Sequence, residues 1–224
     1  MSADNKIEKK FKRKYGIDLL PYAHEGFDLG EIVEYDGFLR RTLDFENVSI
    51  IKFLRLQKDV EAGLIQQLQS VKPQKSEFAN IELDSSFGIN IEGEVPNFAS
   101  KIGVNLGFQS FLKISISDVI SKALAEDLKF NVRQMVKDLK RKDKSYFKEE
   151  LKGKFYLDML FYAKNVKLEL KNSSKESIEA TLTKLKIADA KISADSKNHC
   201  TVSFDGEFEV PFAAKIKSLR DLMD

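Results

Sequence analysis

Between Ala79 and Val95 the odd-numbered positions read Ala79, Ile81, Leu83, Ser85, Phe87, Ile89, Ile91, Gly93 and Val95, and every even position from Asn80 to Glu94 is polar or glycine. A side-chain period of two belongs to a β-strand with one buried face and is incompatible with a helix, whose apolar positions recur every three to four residues. After the link PNFAS the alternation restarts with Ile102, Val104, Leu106, Phe108, Leu112, Ile114 and Ile116, broken on the other face chiefly by Phe111. The two arms predict a long antiparallel hairpin over about 79–116. At about 3.3 Å per residue each arm reaches roughly 50 Å, several times the usual strand of five or six residues.

The rest of the chain supplies the setting for that hairpin. Six of the nine residues from Lys6 to Lys14 are basic (Lys6, Lys9, Lys10, Lys12, Arg13 and Lys14), while Ile7, Phe11 and Tyr15 recur every four residues. This is the pattern of a short amphipathic helix with a cationic face, closed by Gly16. IDLLPYA, EIVEY, FLRRTLDF and SIIKFLRL read as short strands. DVEAGLIQQLQSV fits helix or strand equally. Val119, Ile120, Ala123, Leu124, Leu128, Val132, Met135, Val136 and Leu139 predict a helix capped by Ser117 or Asp118. A second basic cluster, Lys137 to Lys144, lies near its end, and Phe147 and Leu151 predict a further short helix stopped by Gly153. FYLDMLFYA is apolar on both faces, as in a doubly buried strand, and becomes one-sided at Val166, Leu168 and Leu170. A return strand runs from Ile178 to Ile192 with a bulge near Lys184. Cys200 to Ile216 keeps one apolar parity across Asp205-Gly206, which argues for one continuous or bulged strand rather than a hairpin. The expected fold is α+β: a long, twisted, mostly antiparallel sheet, with a short basic N-terminal helix and further helices packed on the sheet.

Composition removes many alternatives. The chain has 224 residues, 42% apolar and 32% charged, so it buries a core without covalent staples. One cysteine, Cys200, excludes an internal disulfide, and its place on an apolar strand face predicts an inert buried thiol. His24 and His199 are too few for a histidine metal site, and no phosphate loop, dinucleotide fingerprint, nucleophile elbow or zinc spacing is present. No metal, cofactor or enzymatic activity is expected. A net charge of +2 gives no wholesale nucleic-acid-binding character. The charged start, MSADNKIEKKFKRKYG, carries no signal-peptide apolar run, so a cytosolic protein is expected.

A strand needs only about 9 to 11 residues to cross a bilayer, and membrane strands carry the same apolar-out, polar-in alternation. A soluble chain with a cationic amphipathic helix and extended hairpins is thus equipped to permeabilise a membrane conditionally. The bland alternative is a half-buried sheet covered by helices.

The order of elements resembles the pore-forming domain of gasdermins. The resemblance runs through GIDLLPYAHEGFDLGEIVEYDGFL, the long hairpin, SYFKEELKGKFYLDMLFYAKNVKLEL and CTVSFDGEFEVPFAAKIKSL. It points to the short, bacterial-type members, held off by a brief C-terminal tail, although the cysteine that many of them carry near the N-terminus for lipidation is absent from MSADNK. The resemblance implies a pore-forming domain over residues 1–216 and an inhibitory tail over 217–224. In that tail Leu219, Leu222 and Met223 face the body while Arg220 and Asp221 point outward. It also implies a cell-death effector that is cytoplasmic while inactive and released by a protease. Once released, it would bind anionic lipids at the inner face of the cell membrane and assemble with its own copies into a β-barrel. On this reading the basic helix meets the membrane surface. Hairpins over about 79–116 and 155–192 insert, through Phe87, Ile89, Ile91, Val104, Leu106 and Phe108 in the first and Val166, Leu168, Ile178 and Leu182 in the second. The competing expectation is a soluble α+β protein that binds lipid or a partner and forms no pore.

Overall fold

A computed structural model of the chain describes residues 4–20, 28–36, 42–78, 80–84, 111–171, 190–196, 199–205 and 211–222. In chain order its elements begin with α1 (Asp4–Tyr15), β1 (Asp18–Leu19), β2 (Glu31–Asp36), β3 (Thr42–Ser49), α2 (Ile50–Phe53), α3 (Lys58–Gln69), β4 (Gln74–Lys75) and β5 (Asn80–Asp84). They continue with β6 (Phe111–Ser117), β7 (Ile120–Ala123), α4 (Glu126–Lys142), α5 (Lys144–Tyr146), a π-helical turn (Phe147–Leu151) and β8 (Phe155–Tyr162). The last are β9 (Asn165–Lys171), β10 (Ala190–Ser196), β11 (His199–Asp205), β12 (Pro211–Ser218) and a 3-10 turn (Leu219–Leu222). The fold is α+β. Two compact units divide it, one of Met1–Glu25, Lys75–Ile120 and Phe161–Phe212, the other of Gly26–Gln74, Ser121–Leu160 and Ala213–Asp224.

The first unit holds a sheet in the order β10-β11-β9-β6-β5. Its pairs are antiparallel, and β5 meets β6 with Ile81 opposite Ile116 and Leu83 opposite Ile114. The period-two pattern has its expected consequence here: Ile81, Leu83, Ile114, Ile116, Val166, Leu168, Leu170, Cys200 and Val202 are all buried. Lys113 pairs with Glu82 at 2.8 Å, and Lys167 lies 3.7 Å from Glu169. Each buried aliphatic side chain contributes about 1.5–3 kcal/mol, so the face, not the exposed ion pairs, fixes the register.

The strand content is divided between sheets where the sequence pattern runs on without a break. FYLDMLFYAKNVKLEL is two strands, β8 and β9, separated at Ala163 and Lys164, with Asn165 donating to the Asp118 carboxylate at 3.0 Å. The stretch from Cys200 to Ile216 likewise contributes to two sheets, β11 beside β9 and β12 beside β8. Parity is blind to this, because a strand that changes partners keeps its alternation. In the expected second hairpin, β9 and β10 are not neighbours, since β11 lies between them, in register with both. The stretch from 172 to 189, with the inferred bulge near Lys184, lies outside the described residues.

In the second unit the strands run β12-β8-β2-β3, with β7 also against β8. β8 is buried on both faces, as its composition requires. SIIKFLRL, expected as a strand, is instead β3's last residue followed by α2. The Ser49 hydroxyl accepts from the Ile51 amide at 3.3 Å, the Ile50 amide donates to the Gly30 carbonyl at 2.7 Å, and Ile50 and Ile51 are buried. A cap and two tertiary anchors override the local β preference. Gly30 sits at φ +75, a conformation that costs glycine nothing. The ambiguous 58–69 segment is helical. The helix expected from Ser117 or Asp118 starts only at Glu126, because Asp118 adopts φ 53 and Ile120–Ala123 pairs as β7 with β4 and β8. The short helix before Gly153 is present as α5 and the π-helical turn.

Candidate functional site

The cationic helix is built as its spacing implies. Phe11 is fully buried and stacks on Tyr15 (4.8 Å between ring centres) and against the edge of Phe212 (6.4 Å). Tyr15 in turn meets Phe78 at 5.9 Å, and Phe78 meets Phe161 at 5.5 Å. This aromatic chain anchors the apolar side of α1 within its unit. Lys9, Lys12, Arg13 and Lys14 are exposed on the other side, Lys10 is half-buried, and Lys6 lies in the first turns of the helix. Lys12 reaches Asp18 at 2.7 Å, and the Lys14 ammonium sits 5.2 Å from the Tyr15 ring centre. The geometry presents a compact positive surface on a fixed helix, suited to a layer of phosphate or carboxylate groups.

Among the residues assigned to membrane insertion, Val166 and Leu168 lie on β9 and are buried in this form. Phe87, Ile89, Ile91, Val104, Leu106, Phe108, Ile178 and Leu182 lie outside the described residues, as does His24. In the C-terminal segment Leu219 is buried and its amide donates to the Lys154 carbonyl at 3.1 Å. Arg220 and Asp221 are exposed, Leu222 closes the 3-10 turn, and Met223 is outside the described residues. β12 itself continues through Lys217 and Ser218. Cys200 is buried, and His199 opens β11. Among the described residues no cluster of His, Cys, Asp and Glu is arranged to hold a metal, and no helix is long and apolar enough to cross a membrane.

One ionic centre escaped the sequence reading. Asp158, in the middle of β8, has a side chain only 3% exposed and lies 3.0 Å from both Lys129 of α4 and Lys217 of β12. Lys129 also bonds Glu126 at 2.8 Å. Burial alone would lower the Lys129 pKa, but its interactions with Glu126 and Asp158 outweigh that and hold it above the ordinary lysine value. The Lys129 interaction holds the Glu126 carboxyl below its usual range. Burial, reinforced by the charge of Asp158, pushes the Tyr156 phenol up. An acid inside a run apolar on both faces was the available signal, since a buried charge requires partners. The centre clasps β12 and α4 to β8. Lys129→Met leaves Asp158 with Lys217 alone and should cost about 3 kcal/mol of unfolding free energy in urea titrations. Because the folded pKa of Lys129 is raised, its contribution is complete below about pH 10.4, the unfolded value, and disappears only as pH rises through the folded one. A wild-type and variant difference that is already lost below the ordinary lysine range would contradict this origin.

Two antiparallel sheets, a docked cationic helix and a clasped C-terminal strand define an α+β protein. No family model matches the chain, and no curated protein matches it. Among solved structures it is similar to a bacterial gasdermin from Bradyrhizobium tropiciagri, with 9% identity and a TM-score of 0.42, over 93% of this chain and 84% of that one.

Proposed function

We propose that the chain is a membrane-permeabilising protein: held inactive in the cytoplasm, released by a protease, and assembled from many copies into a β-barrel at the inner face of an anionic membrane. The observation that carries this reading is the register of β5 on β6. Asn80 faces Ser117, Ile81 faces Ile116 and Leu83 faces Ile114. In the inserted form we propose, the same register carried outward sets Ile89 opposite Phe108, Ile91 opposite Leu106 and Val95 opposite Ile102, with the turn inside PNFAS. Apolar meets apolar in these three pairs, whereas Phe87 falls opposite Ser110, Val104 opposite Gly93 and Leu112 opposite Ser85, and the other face is polar apart from Phe111. Such a hairpin has more than the 9 to 11 residues per arm that a bilayer requires.

Dye release from anionic liposomes by the full chain and by C-terminal truncations tests the proposal. Vesicle binding without release under every condition would instead favour the soluble lipid-binding reading, which the cationic face of α1 supports by itself. That face should make the first membrane contact, since each Lys or Arg near an anionic surface contributes roughly 1 kcal/mol. Changing Lys9, Lys10, Arg13 and Lys14 together to Glu should abolish co-sedimentation with phosphatidylserine vesicles at low salt and leave the thermal midpoint nearly unchanged, because the helix is anchored through Phe11. Undiminished sedimentation would return α1 to a merely solvated helix.

A further inference from the structure

In the second unit, Lys140, Lys144, Lys148, Lys152 and Arg220 converge on a cavity of about 690 Å³. The lysines recur every four residues. The chain breaks at Asp143 (φ −136, ψ 80) between Lys140 of α4 and Lys144 of α5, and Lys148 in the π-helical turn and the extended Lys152 just after it line the same cavity.

None of the five side chains has a carboxylate partner among the described residues. Of the neighbouring acids, Asp143 is engaged with Arg55 (3.3 Å) and the Tyr146 amide (2.9 Å), Glu149 with the Ser145 hydroxyl (3.0 Å) and Asp221 with the Ser218 amide (3.2 Å), while Glu150 is exposed and makes no ion pair with the cavity lysines. Lys154, beside the cavity in sequence, is taken by Glu34 at 3.1 Å. Phe147, Leu151, Phe155 and Leu219 form an apolar wall. The volume lies within the range of small-molecule sites, and low-dielectric walls strengthen every charge that lines them.

We propose that this cavity binds a soluble, multiply phosphorylated small anion, and that the ligand joins the C-terminal 3-10 turn, through Arg220, to the π-helical turn and the residue after it, through Lys148 and Lys152. Clustered phosphate groups also occur on lipid headgroups. A concave site with the C-terminal turn as one wall encloses a free anion more fully than one tethered in a flat surface. The inference stands on the cavity alone and is independent of pore formation.

The test uses the full chain and inositol hexakisphosphate as probe, with phosphatidylcholine vesicles carrying phosphatidylinositol bisphosphate as a second arm. Calorimetry should show binding of the soluble probe that weakens steeply with salt. The probe should also raise the thermal midpoint and slow tryptic cleavage after Arg220. The double variant K148E/K152E and the single variant R220E should each bind at least about tenfold more weakly, as expected for lost charge-assisted contacts. K137E/K142E, an equal charge change outside the cavity, should bind within about twofold of wild type, and a matched thermal midpoint without probe verifies that each variant folds. The proposal is overturned by absence of soluble binding, by binding confined to the vesicles, or by equal losses in the cavity and control variants.

Discussion

Dye release should vanish when Phe87 and Ile89, or Val104 and Leu106, are replaced by Asp. In the proposed barrel each of these side chains faces lipid, where a charge near the midplane costs on the order of 2–4 kcal/mol, and every subunit of the ring bears that cost. The effect is therefore far larger than the same change produces in one copy. Circular dichroism and co-sedimentation with vesicles separate failure to insert from failure to fold or to bind. Variants that remain folded, bind vesicles and still release dye would remove the hairpin over 79–116 from the membrane.

The second large effect concerns the C-terminus, and the clasp at Asp158 dictates which cut is informative. Ending the chain after Ser218 removes Leu219, which is buried, and its 3.1 Å bond to Lys154, yet leaves Lys217 paired with Asp158. If the segment is the lock, losing about 1.5–3 kcal/mol of apolar burial should raise leakage roughly tenfold to a hundredfold. Ending after Ile216 removes Lys217 as well, so increased leakage should then be accompanied by a lower unfolding free energy. Equal, low leakage from the full chain and the Ser218 truncation would place control outside this segment.

Local alternation and amphipathicity were legible in the sequence because each repeats over many residues. The buried side of α1 and the Ile81, Leu83, Ile114 and Ile116 face follow from periodicity, and the doubly buried β8 from an apolar run without alternation. The illegible features were those decided by partners distant in the chain. Val119 and Ile120 share helical spacing with Leu124 and Leu128, but pairing of β7 with β4 and β8 makes Ile120 part of a strand. Ile50 and Ile51 read as strand residues until Gly30 and Ser49 are placed beside them. The ionic centre needed three segments at once, and only Asp158, an acid among apolar neighbours, hinted at it. The cavity beside Arg220 was equally hidden, since the basic cluster from Lys137 to Lys144 does not reveal that the π-helical turn and the C-terminal turn line one cavity with the exposed Lys140 and Lys144.

The position of β9 also has a bearing on how the chain is made. Its two neighbours come from opposite sides in sequence: β6 precedes it, while β11 follows only at His199–Asp205. During synthesis one hydrogen-bonding edge of β9, whose apolar face carries Val166, Leu168 and Leu170, stays unpaired until β11 has emerged from the ribosome. An apolar strand with an open edge is a template for association between nascent chains. A holdase chaperone that covers the strand during this interval should therefore reduce aggregation of nascent chains without changing the stability of the finished fold.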